Sequence, residues 1–235
     1  MKRLAPLLAL GLVLAACGVE PTPTPRADCP TAPPSLSDAE AILADAGTAT
    51  VRTNKGDFTI TLDPSSAPIA TASFVALARC GFYDEVSFHR VLAGFVIQAG
   101  DPQTKDNHGD FEGLGSGGPA YRYTVEFPDA DQPYAPYTVA MANAIEYDRN
   151  DPNATITGGQ DSNGSQFFVT LDDLSGRLRP YYSVLGTVTA GTETVDAIAA
   201  LPVNHPTVGV PLDPAIIEAI AIAPDGGQAS VSSRS

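Results

Sequence analysis

Apolar and polar positions alternate with a period of two through many short runs of this chain, and helical spacing is rarer. Residues 51–53 and 58–62 alternate on either side of Asn54-Lys55-Gly56, which predicts a hairpin. Further short strands are expected at 137–141, 166–171 and 183–188, with 215–223 closing the set. Pro68, Ala70, Phe74, Leu77 and Ala78, followed by Gly81, have the spacing and punctuation of an amphipathic helix. A second helix is expected over 192–200, where Val195, Ile198 and Ala199 share a face. Ser37-Asp38-Ala39-Glu40 has the spacing of a capping box, which predicts a short helix over 38–46 ahead of the strands. Many short strands with two helices over their ends imply a mainly β, closed sheet.

The most informative stretch runs from Ser87 through Phe88-His89-Arg90-Val91-Leu92 and Ala93-Gly94 to Phe95-Val96-Ile97-Gln98-Ala99-Gly100-Asp101-Pro102. Two strand-like runs meeting at Ala93-Gly94 bring Arg90, Phe95 and Gln98 together, and alternation puts Val96 and Gln98 on one face. Such a patch can grip a carbonyl with its donors while its ring holds something apolar. The same residues also fit a core strand whose arginine pairs with a carboxylate. His89, a lone histidine inside a strand, reads as buried and hydrogen-bonded.

This stretch, together with Asn163-Gly164-Ser165-Gln166-Phe167-Phe168-Val169 and Met141-Ala142-Asn143 downstream, resembles the motifs of cyclophilin-type peptidyl-prolyl isomerases in their usual order. The resemblance implies an eight-stranded antiparallel barrel with two helical caps, over residues 48–224. It implies that Arg90 donates to the rotating amide and that Phe95, Val96, Phe168 and Leu178 enclose the proline ring. Gln98 would orient Arg90 and the peptide, Ala142 and Asn143 would hold backbone on the preceding side, and Gln166 and Tyr182 would complete the groove. Alternation sets Phe167 opposite Phe168, pointing into the barrel. No cofactor is implied. The implied partners are proline-containing polypeptides met by a monomer, and the alternative is a catalytically weak peptide-binding module or holdase using the same groove. Arg177 stands where many eukaryotic members carry tryptophan, so strong cyclosporin binding is not expected, and Tyr182 stands at the usual pocket histidine.

Composition narrows the partners. With 235 residues and 43% hydrophobic content the chain can bury one sizeable core. A formal net charge of -14 argues against nucleic acid or an anionic membrane surface held by charge. Lys2 and Arg3 before an apolar run too short to span a membrane make residues 1–16 a leader. Leu14-Ala15-Ala16-Cys17 resembles a bacterial lipobox, which implies an exported protein lipidated at Cys17 and held to a membrane by acyl chains alone. The competing reading is an ordinary secretory leader with a chance cysteine. Residues 17–47 follow as a Pro/Thr-rich linker with its short helix, and 225–235 as a flexible tail.

Export would leave Cys29 and Cys80 as an even pair in an oxidising compartment, bridged or free. Residues 144–162 make a long connection containing Asp148, Asn150, Asp151, Asn153 and Asp161. It lacks the glycine and closing glutamate of an EF-hand loop, so it reads as a solvated acidic rim suited to basic peptides, not a metal site. Gly113-Leu114-Gly115-Ser116-Gly117-Gly118 matches a dinucleotide pattern, but a strand-like run follows it where that motif needs a helix.

Overall fold

A computed structural model describes residues 27–106, 114–129, 134–151 and 154–225. The leader, Cys17, Gly113, Asn153 and residues 226–235 of the tail lie outside the described residues. Helix α1 (Leu36–Leu43) leads into strands β1 (Thr48–Thr53) and β2 (Gly56–Leu62), then α2 (Pro68–Arg79). Strands β3 (Arg90–Leu92) and β4 (Val96–Ala99) come next, followed by a 3-10 turn at Pro102–Lys105 and β5 (Thr138–Met141). A short hairpin, β6 (Glu146–Tyr147) and β7 (Ile156–Gly158), precedes β8 (Phe167–Thr170), β9 (Val184–Ala190), α3 (Thr192–Ala199) and β10 (Ile217–Ala223).

Eight strands form one curled antiparallel sheet in the order β10-β1-β2-β9-β5-β8-β4-β3. The expected closed barrel is corrected here: the ladder is open, with β3 and β10 as its edges, while the helices among the described residues are the two expected caps, α2 and α3, and the expected short helix ahead of the strands, α1. Closure fails because β3 holds only three residues and the chain before it leaves extended geometry at Glu85, whose φ is 66°. In place of a ladder, Phe88 donates to the Ala215 carbonyl, Glu85 to that of Ile217, and Ile217 back to Val86. The outer edge of β3 is occupied too, since the Val91 N–H donates to the Gly209 carbonyl at 2.6 Å.

Two apolar clusters lie on opposite faces of the sheet, as a period of two requires. The larger packs Val51, Ile60, Ile97, Val139 and Val169 against Phe74, Val75 and Leu77 of α2. Phe167 belongs here, with its ring 5.5 Å from Phe74 and 5.7 Å from Tyr83. Each such buried side chain contributes about 1.5 to 3 kcal/mol. The smaller cluster holds Val96, Tyr134, Ala140, Phe168, Leu174 and Val184, so Phe167 and Phe168 part company as alternation predicts.

Two end details differ from expectation. The cap of α1 is Ser35, whose hydroxyl accepts from the Asp38 N–H while the Asp38 carboxylate accepts from the Ser35 N–H, so the helix begins two residues before the predicted start. No side chain of its own segment caps α2; Glu126, 56 residues on, accepts from Ile69 and Ala70 at 3.1 and 2.7 Å.

Cys29 and Cys80 are disulfide-bonded, which settles the pairing the sequence left open. Arg79 adds an ion pair to Asp45 at 2.5 Å and donates to the Ile42 carbonyl, so the segment ahead of β1 is clamped to the end of α2. The bond closes a loop across a separation of 51 residues. Cys80→Ser, or reduction of the native protein, is expected to lower the unfolding free energy by about 4 kcal/mol, read from the urea midpoint. An unchanged midpoint would contradict the staple.

His89 is buried, and neither ring nitrogen has a hydrogen-bond partner. Burial lowers its pKa, Asp101 and the Ser87 backbone oppose this, and the nearby Arg90 charge adds to it. The unfolded chain therefore takes up a proton near pH 6.5 that the folded chain resists, and stability falls as pH drops below about that value. The urea midpoint is expected to hold between pH 8 and 7 and to fall between about 6.5 and 5. In His89→Gln that part of the decline should vanish.

Candidate active site

Strand register assembles the floor of the site, and the connections beside the strands add its walls. Arg90 on β3 pairs with Gln98 on β4, Gln98 with Phe168 on β8, and Phe168 with Ala140 on β5. Directly opposed residues project to the same face, so these four form one row across four strands. Val96, two residues from Gln98, joins that face. With Phe95, Ala142, Asn143, Leu178 and Tyr182 these side chains, Ala140 aside, line a cavity of about 140 Å³.

The guanidinium of Arg90 is fixed by neutral amides. Its Nη1 donates to Gln98 Oε1 at 3.2 Å, Gln98 Nε2 donates to Gln166 Oε1 at 3.0 Å, and Gln166 Nε2 donates to the Gly117 carbonyl at 2.9 Å. Gly117 is itself held by the buried Asp101 carboxylate, which accepts from the N–H groups of Gln103, Gly115 and Gly117. Gly100 before it has φ +98°, and a Cβ there would stand 2.4 Å from the Ser165 carbonyl, so only glycine fits. A single relay therefore runs from a buried acid to the Arg90 guanidinium. Among the described residues Arg90 forms no ion pair with a carboxylate. Partial burial lowers its pKa and Tyr182 acts the other way, but a guanidinium remains charged at any physiological pH.

Phe95 carries a cation on either hand, with the guanidinium carbons of Arg90 and Arg177 each 6.0 Å from the ring centre. Arg177 also reaches the Gly94 carbonyl and Asp172 at 3.4 Å. Thus the residue that stands where many eukaryotic members carry tryptophan places a cation over the slot's aromatic wall. Tyr182 meets Phe168 edge-on at 5.2 Å and Tyr134 at 6.1 Å. Burial raises the phenol pKa of Tyr182 and pushes that of Tyr134 up to about 12, so both stay neutral.

The site thus brings together Arg90, Phe95, Val96, Gln98, Ala142, Asn143, Phe168, Leu178 and Tyr182. Gln166 stands in the second rank of the relay and lines an adjoining cavity of about 250 Å³. The side chain of Asn143 turns out to be committed to the fold: it donates to the Tyr181 carbonyl at 2.6 Å and accepts from the Ile145 N–H.

The family described as "Cyclophilin type peptidyl-prolyl cis-trans isomerase/CLD" matches residues 48–222. The chain belongs to the cyclophilin family. Among relatives of this cyclophilin, peptidyl-prolyl cis-trans isomerase B of Streptomyces anulatus is 37% identical over 191 residues, covering 74% of this chain and 95% of the relative. Peptidyl-prolyl cis-trans isomerase A of Mycobacterium tuberculosis is 35% identical over 192 residues, covering 74% and 91%. A cyclophilin from Cryptosporidium parvum, solved in the presence of the dipeptide Ala-Pro, superposes with a TM-score of 0.59 at 30% identity, covering 74% of this chain and 98% of its own.

Three contributors escaped sequence reasoning. Asp101 sat in plain view beside Pro102, but nothing in its spacing shows that it accepts from three amides across the loop. Tyr134, whose hydroxyl accepts from the Tyr182 N–H and donates to the Tyr182 carbonyl, belongs to no periodic run. Arg122, on the rim of the second cavity, has no motif to mark it.

Gln98→Leu keeps the volume and cuts both of the glutamine's bonds. Guanidinium nitrogen NMR is expected to show slowed rotation of the Arg90 head in the native protein and fast rotation in the variant. Equal rates would mean the relay does not hold it.

Proposed function

We propose that this peptidyl-prolyl cis-trans isomerase works by holding the proline ring in the slot between Phe95, Val96, Phe168 and Leu178 while Arg90 donates to the amide as it twists. An Xaa-Pro bond resists rotation by about 18 to 20 kcal/mol because its nitrogen lone pair is delocalised into the carbonyl. Twisting ends that delocalisation and leaves a pyramidal, basic nitrogen. A donor waiting at that nitrogen stabilises the twisted form over either planar one, and only such differential binding accelerates the step. Water would blunt the effect, and the apolar slot excludes it.

The observation that carries the reading is the unopposed, amide-held guanidinium of Arg90 above an apolar slot. A carboxylate partner would hold the cation's donors in the ground state, whereas the Gln98 carbonyl leaves most of them available. With the Asn143 side chain engaged elsewhere, main-chain groups at Ala142 and Asn143 grip the peptide on the side preceding proline. None of the slot residues titrates near neutrality, so proton transfer has no part in the step.

The leader and the Leu-Ala-Ala-Cys sequence support an exported protein anchored through Cys17, whose substrates are other exported chains refolding outside the cytoplasm. A monomer suffices, because every residue of the slot comes from one chain. Arg177, a cation in place of a flat apolar rim, supports weak binding of cyclosporin.

Arg90→Ala is expected to lower kcat/KM on a short Xaa-Pro peptide by about a hundredfold or more, the usual cost of removing one donor aimed at a transition state. The native kcat/KM should stay level from about pH 6 to 9. Comparable native and Arg90→Ala rates would favour a peptide-binding module over an enzyme.

A further inference from the structure

The second cavity adjoins the slot, with Gln98, Ala142 and Asn143 belonging to the walls of both. Its far wall carries Arg122, which is exposed as a residue but seated at its head. A Cβ on Gly118 would stand 2.2 Å from Arg122 Nη1, and one on Gly164 would stand 3.0 Å from it. Two glycines thus leave the gap that this guanidinium fills. Its protein contacts are carbonyls: Nη1 donates to Tyr121 at 3.2 Å and Nη2 reaches Ser116 at 3.4 Å. No ion pair joins it to a carboxylate among the described residues.

The acids nearby are already engaged. Asp101 accepts from the loop amides, and Asp161 accepts from the Thr124 hydroxyl at 2.5 Å. In the β6-β7 hairpin Asp148 accepts from the Asn150 N–H, and Asp151 from Thr155. These acids keep their charge, but none of them lines the cavity, whose walls carry one charged side chain, Arg122, among polar and small residues.

We propose that Arg122 makes this cavity a subsite for a carboxylate, so that preferred substrates carry Asp or Glu two or three residues before the proline. This rests on the reading of the slot as the proline site. An extended peptide advances about 3.3 Å per residue, so a chain leaving the slot past Ala142 and Asn143 places its second or third upstream side chain over the cavity. A planar guanidinium matches a carboxylate with two parallel donors, and a neutral amide or an ammonium cannot reproduce that match.

The test compares three peptides that differ only in Glu, Gln or Lys at the second, and then the third, residue before proline. The native protein is expected to favour Glu over Gln by about three- to tenfold in kcat/KM, with Lys below both. In Arg122→Gln the Glu to Gln ratio should fall to about one, in Arg122→Lys it should recover in part, and in Arg122→Glu the order should invert toward Lys. A native ratio of one, a native preference for Lys, a ratio that survives Arg122→Gln, or a Glu preference found only downstream of proline would overturn the subsite. If no peptide is turned over, the isomerase reading fails instead, and dissociation constants for the same peptides then decide the subsite by the same ratios.

Discussion

The hydrogen-bonded relay from Asp101 through Gly117, Gln166 and Gln98 to Arg90 is the constraint on which the rest of the site depends. A long flexible cation loses about 2 kcal/mol of rotamer entropy when it is fixed. Meeting that cost with a carboxylate would pair off the charge. Neutral amides fix the head and leave the charge, and each amide is in turn fixed by the next because both ends of its side chain are engaged. The final anchor is a buried acid whose three amide partners replace the solvent it lost.

The sheet makes this possible by sorting one sequence run onto two faces. Val91, Ile97, Phe167 and Val169 go to the interior, where their burial pins the register. Arg90, Val96, Gln98 and Phe168, their immediate neighbours, are thereby forced to the outer face. A slip of one residue would send the cation into the core and two valines to the groove. The same burial that stabilises the fold therefore positions the chemistry.

Much of this was legible because it is periodic or local. Alternation separated Phe167 from Phe168 and paired Val96 with Gln98, and proline and glycine bracketed α2. What escaped was long-range. Glu126 caps a helix 56 residues away, Tyr134 reaches Tyr182 across a separation of 48, and Arg122 finds its seat between Gly118 and Gly164 only after the chain has folded. No periodicity encodes such meetings. The start of α1 was misplaced because Ser35 and Ser37 both offer a hydroxyl near Asp38, and the bond at 3.2 Å selects the first. Openness of the sheet was hidden for a different reason: strand count fixes how many ladders are possible, while closure depends on the three-residue length of β3.

That short strand has a consequence for how such a molecule coexists with its substrates. A protein that handles extended polypeptides risks having them zip onto its own exposed β edge, turning a transient visit into a lasting complex. Here the rim strand offers only three residues, and the Gly209 carbonyl already occupies the amide of Val91. Little free main chain is left along β3 to template another.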